Sequence, residues 1–126
     1  MPYPSQTERG FEILVVDDDT DVREIMAEYL VSRGYIVHQA GDGAEALQVL
    51  DDNPSLRVIV SDVRMPRVSG LELAKMVAER HPEVRVILVS GYFQSQTLGP
   101  RFLKKPFTMQ QLERMVQDEL TTATPS

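Results

Sequence analysis

The stretch Ile13-Leu14-Val15-Val16-Asp17-Asp18-Asp19 runs four apolar residues into three consecutive acids. Apolar character at every position, rather than every second one, suits a strand covered on both faces. The construction recurs along the chain. Val58-Ile59-Val60-Ser61 ends at Asp62, Val86-Ile87-Leu88-Val89 ends at Ser90, and Phe102-Leu103 ends at Lys104-Lys105-Pro106. If these runs are parallel strands, their carboxyl ends share one edge of one sheet. Asp17, Asp18, Asp62, Ser90 and Lys105 then meet there, a set of acids with one hydroxyl and one amine.

Between the runs the apolar period changes to that of a helix. Val22, Ile25, Met26, Tyr29 and Leu30 form a first stripe, followed by Gly34, which can supply a left-handed helix end. Residues 36–40 read as a weaker, alternating strand. Asp42 with Glu45, Ser69 with Glu72, and Thr108 with Gln111 stand at the two side-chain positions of capping boxes. The helices they open carry the stripes Ala44, Leu47 and Leu50; Leu73, Ala74 and Val77; and Leu112, Met115, Val116 and Leu120. Asn53-Pro54 and His81-Pro82 close the first two of these, because the residue before proline disfavours helical backbone. The remaining strands are predicted at 12–16, 57–61, 84–89 and 101–104. Asp19, Thr20 and Asp21 read as the start of the first helix, where acids are favoured by the macrodipole.

Strand and helix in alternation predict an α/β three-layer sandwich, a parallel sheet with helices on both faces. Five strands fit the flavodoxin-like order 2-1-3-4-5, in which strands 1 and 3 are neighbours and a crevice opens at their carboxyl ends. The predicted domain spans 11–120, between tails at 1–10 and 121–126.

Composition narrows the function classes. The chain has 126 residues, 42% hydrophobic, enough for one domain with a real core. A net charge of -6 argues against direct nucleic-acid binding, which needs clustered Lys and Arg. With no cysteine there are no disulfides and no thiolate chemistry. No apolar run approaches the roughly 18 residues of a membrane span, and residues 1–10 lack the apolar core of a signal peptide. A soluble cytoplasmic protein is the expectation.

Three carboxylates a few ångströms apart must either take up protons or be neutralised by a cation. All-oxygen donors suit Mg²⁺ or Mn²⁺. Acids alone would suggest only a metal. The added hydroxyl of Ser90 and amine of Lys105 suggest that a phosphoryl oxygen is held as well, and a carboxylate can itself accept the phosphoryl group.

On these residues the chain resembles the receiver domain of bacterial two-component response regulators. The resemblance rests on residues 13–19, on Ser61-Asp62-Val63-Arg64-Met65-Pro66-Arg67-Val68-Ser69-Gly70-Leu71-Glu72-Leu73, on Leu88-Val89-Ser90-Gly91 and on Phe102-Leu103-Lys104-Lys105-Pro106-Phe107. It covers 11–120. It implies that Asp62 accepts a phosphoryl group from a phosphohistidine of a sensor kinase or phosphotransfer protein. It implies that Asp18, Asp62 and the backbone carbonyl of Arg64 ligate Mg²⁺, with Asp17 acting through metal-bound water. Ser90 and Lys105 would bind the phosphoryl oxygens, and Phe102 would move inward as Ser90 shifts. The Lys105-Pro106 peptide would be cis. Gly91 would keep the approach open, while Arg64 and Tyr92 would overhang and shield the phosphate. Met65 and Pro66 would line the site. Such a protein catalyses its own phosphorylation and dephosphorylation without being a turnover enzyme in the ordinary sense.

One segment departs from the family. Between Ser90 and Lys105 the chain is about seven residues, or roughly two helical turns, shorter than usual, so the fourth helix is predicted to be shortened or missing at 93–98. Short versions of this segment are similar to receivers attached to sensor histidine kinases. The polar stretch after Leu120 shows no output domain, so the output is expected in a partner protein or in a domain outside this chain. Two rival classes are a Mg²⁺-dependent phosphatase of the aspartyl-phosphate type and a constitutive docking module. Haloacid-dehalogenase-like enzymes need Thr or Val where Asp21 stands, in the set Asp17, Asp19, Asp21. An idle docking module would have lost an acid or the lysine. His38 and His81 show no acid partner at useful sequence spacing, and Lys104 reads as solvated.

Overall fold

The computed structural model describes residues 10–65, 67–91 and 101–123. Pro66, Tyr92 and the segment at 93–98 lie outside the described residues. The elements are β1 (Glu12–Val16), α1 (Thr20–Ser32), β2 (Ile36–Ala40), α2 (Gly43–Asp52), β3 (Leu56–Asp62), α3 (Gly70–Arg80), β4 (Arg85–Ser90), β5 (Arg101–Lys104) and α4 (Met109–Ala123). All strand pairs are parallel, in the order β2-β1-β3-β4-β5.

Strand alternation splits the core into two layers. Leu14, Val16, Ile59, Val86 and Leu88 pack with Ala46, Leu50, Leu73 and Val77 of α2 and α3. Ile13, Val15, Val58, Val60, Ile87, Val89 and Leu103 pack with Met26, Leu30, Leu112 and Val116 of α1 and α4. This explains why the central strands are apolar at every position: each face meets a helical layer. Register then delivers the acids. Val16 pairs with Ser61, so the next residues, Asp17 and Asp62, stand side by side at the carboxyl ends of β1 and β3.

The helix starts follow their local chemistry. Asp19 caps α1, accepting from the Asp21 and Val22 amides. The box at α3 is reciprocal: Ser69 accepts from the Glu72 amide and Glu72 from the Ser69 amide. The same exchange joins Thr108 and Gln111 at 2.8 and 3.0 Å. At α2 only half the predicted box forms. Asp42 accepts from the Glu45 amide at 2.8 Å, but Glu45 reaches one residue further back, to the Gly41 amide at 2.7 Å.

Several expectations are corrected. β3 extends one residue beyond 57–61 at each end, and β4 starts and ends one residue later than 84–89. Ile25 is 57% exposed, because the buried side of α1 is centred on Met26, Ala27 and Leu30 and Ile25 is turned away from it. In α2 the buried positions are Gly43, Ala46 and Leu50, while Ala44 is exposed: the helix packs through its first residue, which rotates the stripe. α4 runs to Ala123, into the stretch read as a tail. The histidines do have acid partners, supplied across the fold. His38 Nε2 lies 3.1 Å from Glu12 Oε1, and His81 Nε2 3.1 Å from Asp51 Oδ1.

Two buried acids pin α4. Glu113 accepts from the Tyr29 hydroxyl at 3.1 Å and from Arg33 Nε at 2.9 Å. Glu119, 1% exposed, lies between Arg85 Nε at 3.0 Å and Arg101 Nη1 at 3.1 Å. The second contact is close but misaligned for a hydrogen bond, so Oε2 is met by charge rather than by an aimed donor. Among the described residues no helix is long and apolar enough to cross a membrane.

Candidate functional site

Asp17, Asp18 and Asp62 converge at the carboxyl ends of β1 and β3. Each offers a carboxylate oxygen within 4.8 Å of the other two. Asp17 is buried, Asp62 is half-buried and Asp18 is exposed. Asp17 is held at both ends of the residue: its Oδ1 accepts from the Asp19 amide at 2.9 Å, and its carbonyl accepts from Arg23 Nη1 at 2.9 Å. The Arg23 contact was not foreseen, since nothing in the spacing links position 23 to the site. Arg23 Nε is anchored in turn by Gln39 Oε1 at 3.1 Å.

Burial pushes the Asp17 carboxyl above its ordinary value of 3.8, and the charges of Asp62 and Asp18 push the same way. The Asp19 amide and Lys105 oppose this without cancelling it. A carboxyl strained in this direction favours either a proton or a cation. The donor set fits a hard divalent ion, with two more carboxylates in reach and no sulfur or nitrogen ligand in the cluster.

Lys105 enters from the end of β5. Its Nζ lies 3.5 Å from Asp62 Oδ2, and its amide donates to the Ser90 carbonyl at 2.8 Å. Ser90 is buried at the end of β4, beside Lys104 in the ladder. Lys104 itself is exposed. Asp62 Oδ1 accepts from the Arg64 amide at 3.2 Å, so both carboxylate oxygens have a direction imposed on them. The Lys105-Pro106 peptide is cis. Gly91 is exposed, with nothing within 4 Å of where a Cβ would stand. Phe102 is half-buried against the layer formed with α2 and α3. An open cleft of about 510 Å³ is lined by Asp18, Val63, Arg64, Met65 and Ser69. The five residues singled out at strand ends are thus brought to one edge.

Residues 13–117 match the response regulator receiver domain. This chain belongs to that family. The receiver is 36% identical over 116 residues to the sensor kinase CckA of Brucella abortus, a match covering 86% of this chain and 12% of CckA. It is 29% identical over 119 residues to the response regulator receiver protein CpdR of the same organism, covering 88% of this chain and 98% of CpdR. The crystal structure of the receiver domain from the hybrid histidine kinase CckA superposes with a TM-score of 0.77 at 35% identity, over 86% of this chain and 98% of that one. Receivers are the phosphoacceptor modules of two-component signalling, and the phosphatase and docking readings lose their support to that match.

Proposed function

We propose that Asp62 is the phosphoacceptor of this receiver and that Mg²⁺, or Mn²⁺, is held by Asp18, Asp62 and the Arg64 carbonyl, with Asp17 acting through metal-bound water. The observation that carries the reading is the position of Asp62, between two further carboxylates within 4.8 Å and an ammonium at 3.5 Å. In the transfer, an Asp62 oxygen bonds to phosphorus as the phosphorus–nitrogen bond of a donor phosphohistidine breaks. The imidazole leaves with the bonding pair and takes a proton. When bound, the metal supplies positive charge against the phosphoryl oxygens. Lys105, already oriented toward Asp62, answers the rest of that charge.

Phosphorylation adds roughly -1.5 to -2 charge and new acceptor oxygens. Ser90 and Lys105 bind those oxygens, and Phe102 follows Ser90 inward. A full shift from one state to the other takes about 5.5 kcal/mol of differential stabilisation, and two charge-assisted contacts supply much of it. Arg64 shields the phosphate, and Met65 lines its approach. The donor is a sensor histidine kinase or phosphotransfer protein. The target is a partner protein or an output domain outside the receiver unit at 11–120. We place this action in the cytoplasm, in keeping with the cysteine-free sequence.

Intact mass after incubation with acetyl phosphate tests the reading. A phosphoryl adduct that needs both Mg²⁺ and Asp62, and is absent in Asp62→Asn, is expected. No adduct on the wild type, together with no fluoroberyllate-induced change in its amide spectrum, would overturn it.

A further inference from the structure

The loop between Asp62 and α3 carries the Arg64 backbone and lines the cleft beside Asp18. Contacts at its base and with α2 fix its path, and two glycines make room for them by their missing side chains. At the α3 end, a Cβ on Gly70 would collide with the Asp62 carbonyl oxygen and stand 2.9 Å from Val63 Cα. The Gly70 amide donates to the Val63 carbonyl at 2.9 Å. The loop is therefore closed on itself at its base, with α3 seated directly against the backbone of Asp62.

The other notch belongs to a different element. Gly43 is the first residue of α2, and a Cβ there would stand 2.5 Å from Val68 Cγ1, 2.6 Å from Val68 Cβ and 3.1 Å from the Val68 carbonyl oxygen. Val68 thus sits as a knob in the space left by Gly43. Beside it, Arg67 takes a left-handed φ of 70° and points Nη2 to within 3.7 Å of Asp42 Oδ2, at the cap of α2. That ion pair is largely solvated on the arginine side and adds little. The steric contact is the stiff one, because Val68 is β-branched and its Cβ cannot move without its backbone.

We infer that Gly43 and Val68 are positioning residues for the metal-binding end of the site: the seat of Val68 on α2 sets where the loop carries the Arg64 carbonyl relative to Asp18 and Asp62. The inference rests on the proposed metal site. Ordinary carbon–carbon contact is about 3.5–4.0 Å, so a methyl at position 43 forces Val68 back by roughly an ångström. Gly70 is locked against Asp62 and cannot absorb that movement. It passes instead toward Arg64, four residues away. Removing the Val68 methyls has the opposite cause and a related effect, since the loop loses its seat and its position spreads. Pairing Gly43→Ala with Val68→Gly compensates, because the new methyl on residue 43 occupies the space of the Val68 Cβ, 2.6 Å away, which alanine at position 68 would leave filled.

The test compares wild type, Gly43→Ala, Val68→Ala and the double variant Gly43→Ala/Val68→Gly. Mg²⁺ is titrated while the Arg64 amide shift is followed by NMR, with acetyl phosphate labelling as a second readout. Gly43→Ala is expected to weaken Mg²⁺ binding by about tenfold, as loss of support around a metal ligand does. Val68→Ala weakens it less, and the double variant returns toward the wild-type value. A merely structural contact would lower the unfolding midpoint but leave Mg²⁺ affinity of the folded protein unchanged. That outcome in Val68→Ala, which opens space and introduces no clash, would overturn the inference even if Gly43→Ala failed to fold. So would a double variant no better than Gly43→Ala. A wild type that binds no Mg²⁺ would instead overturn the reading of the metal site itself.

Discussion

Glu119 gives a sharp test of how α4 is fastened to the sheet. Its side chain is 2% exposed and lies between Arg85 of β4 and Arg101 of β5, which are 41% and 48% exposed. Converting both arginines to methionine keeps most of their apolar length and leaves a buried carboxylate with neither cation. Stranding a buried charge this way costs about 3–5 kcal/mol. Water reaches the arginine ends, so some of it will reach the stranded acid, and we expect the lower end, about 3 kcal/mol. With a urea slope of about 2 kcal/mol per molar for a small domain, the midpoint falls by about 1.5 M. Glu119→Gln is the control. It removes the charge but keeps the shape, and it frees two arginines that can hydrate, so about 1 kcal/mol is expected. Equilibrium urea unfolding followed by circular dichroism measures both. The reasoning fails if the double methionine variant loses no more stability than Glu119→Gln, because the acid would then not be sealed in as the distances indicate.

Three further outcomes follow from the site and the helix starts. In metal-free protein, Asp17→Asn should raise stability at neutral pH. The folded-state pKa of Asp17 lies above 3.8, so its favourable contribution is complete only below that value and is lost as pH rises through the raised folded pKa. Urea unfolding should accordingly show the gain at pH 7 fading in acid, and added Mg²⁺ should shrink it. Gly70→Ala should destabilise by about 1–3 kcal/mol, as overpacking does, and slow acetyl phosphate labelling, because the new methyl displaces the Asp62 backbone. Unchanged labelling by intact mass would contradict that geometry. Ser69→Ala removes the cap of α3 and should cost about 1 kcal/mol in the same unfolding assay.

The strand ends were legible because each is an abrupt change of chemistry within two or three residues, and a parallel sheet brings such ends together whatever lies between. Thr108 with Gln111 and Ser69 with Glu72 were legible for a similar reason, being complete within four residues. What escaped is set by contacts between distant parts of the chain. Glu119 looks like a surface residue of a polar helix face until Arg85, 34 residues earlier, is folded beneath it. Spacing alone puts Ala44 in the apolar stripe of α2, because the notch at Gly43, which turns Ala46 inward instead, depends on Val68 from another loop. Spacing likewise puts Ile25 in the buried stripe, because it does not say how wide that stripe is. The partners of His38 and His81 are invisible in local spacing, as each acid arrives from a separate element.

The strand order has a mechanical consequence. Asp62 ends β3, which is bonded to β1 on one side and β4 on the other. Lys105 follows β5, a rim strand that among the described residues pairs in the sheet with β4 alone. The proposed phosphoacceptor is therefore fixed in a strand bonded on both sides, and the lysine proposed to answer its phosphate hangs from a strand bonded on one. With a net worth of about 1 kcal/mol for each backbone hydrogen bond, displacing β5 disturbs one short ladder, whereas displacing β3 would disturb two. On the proposed function, movement triggered at Asp62 travels outward to the rim, where one ladder rather than two resists it.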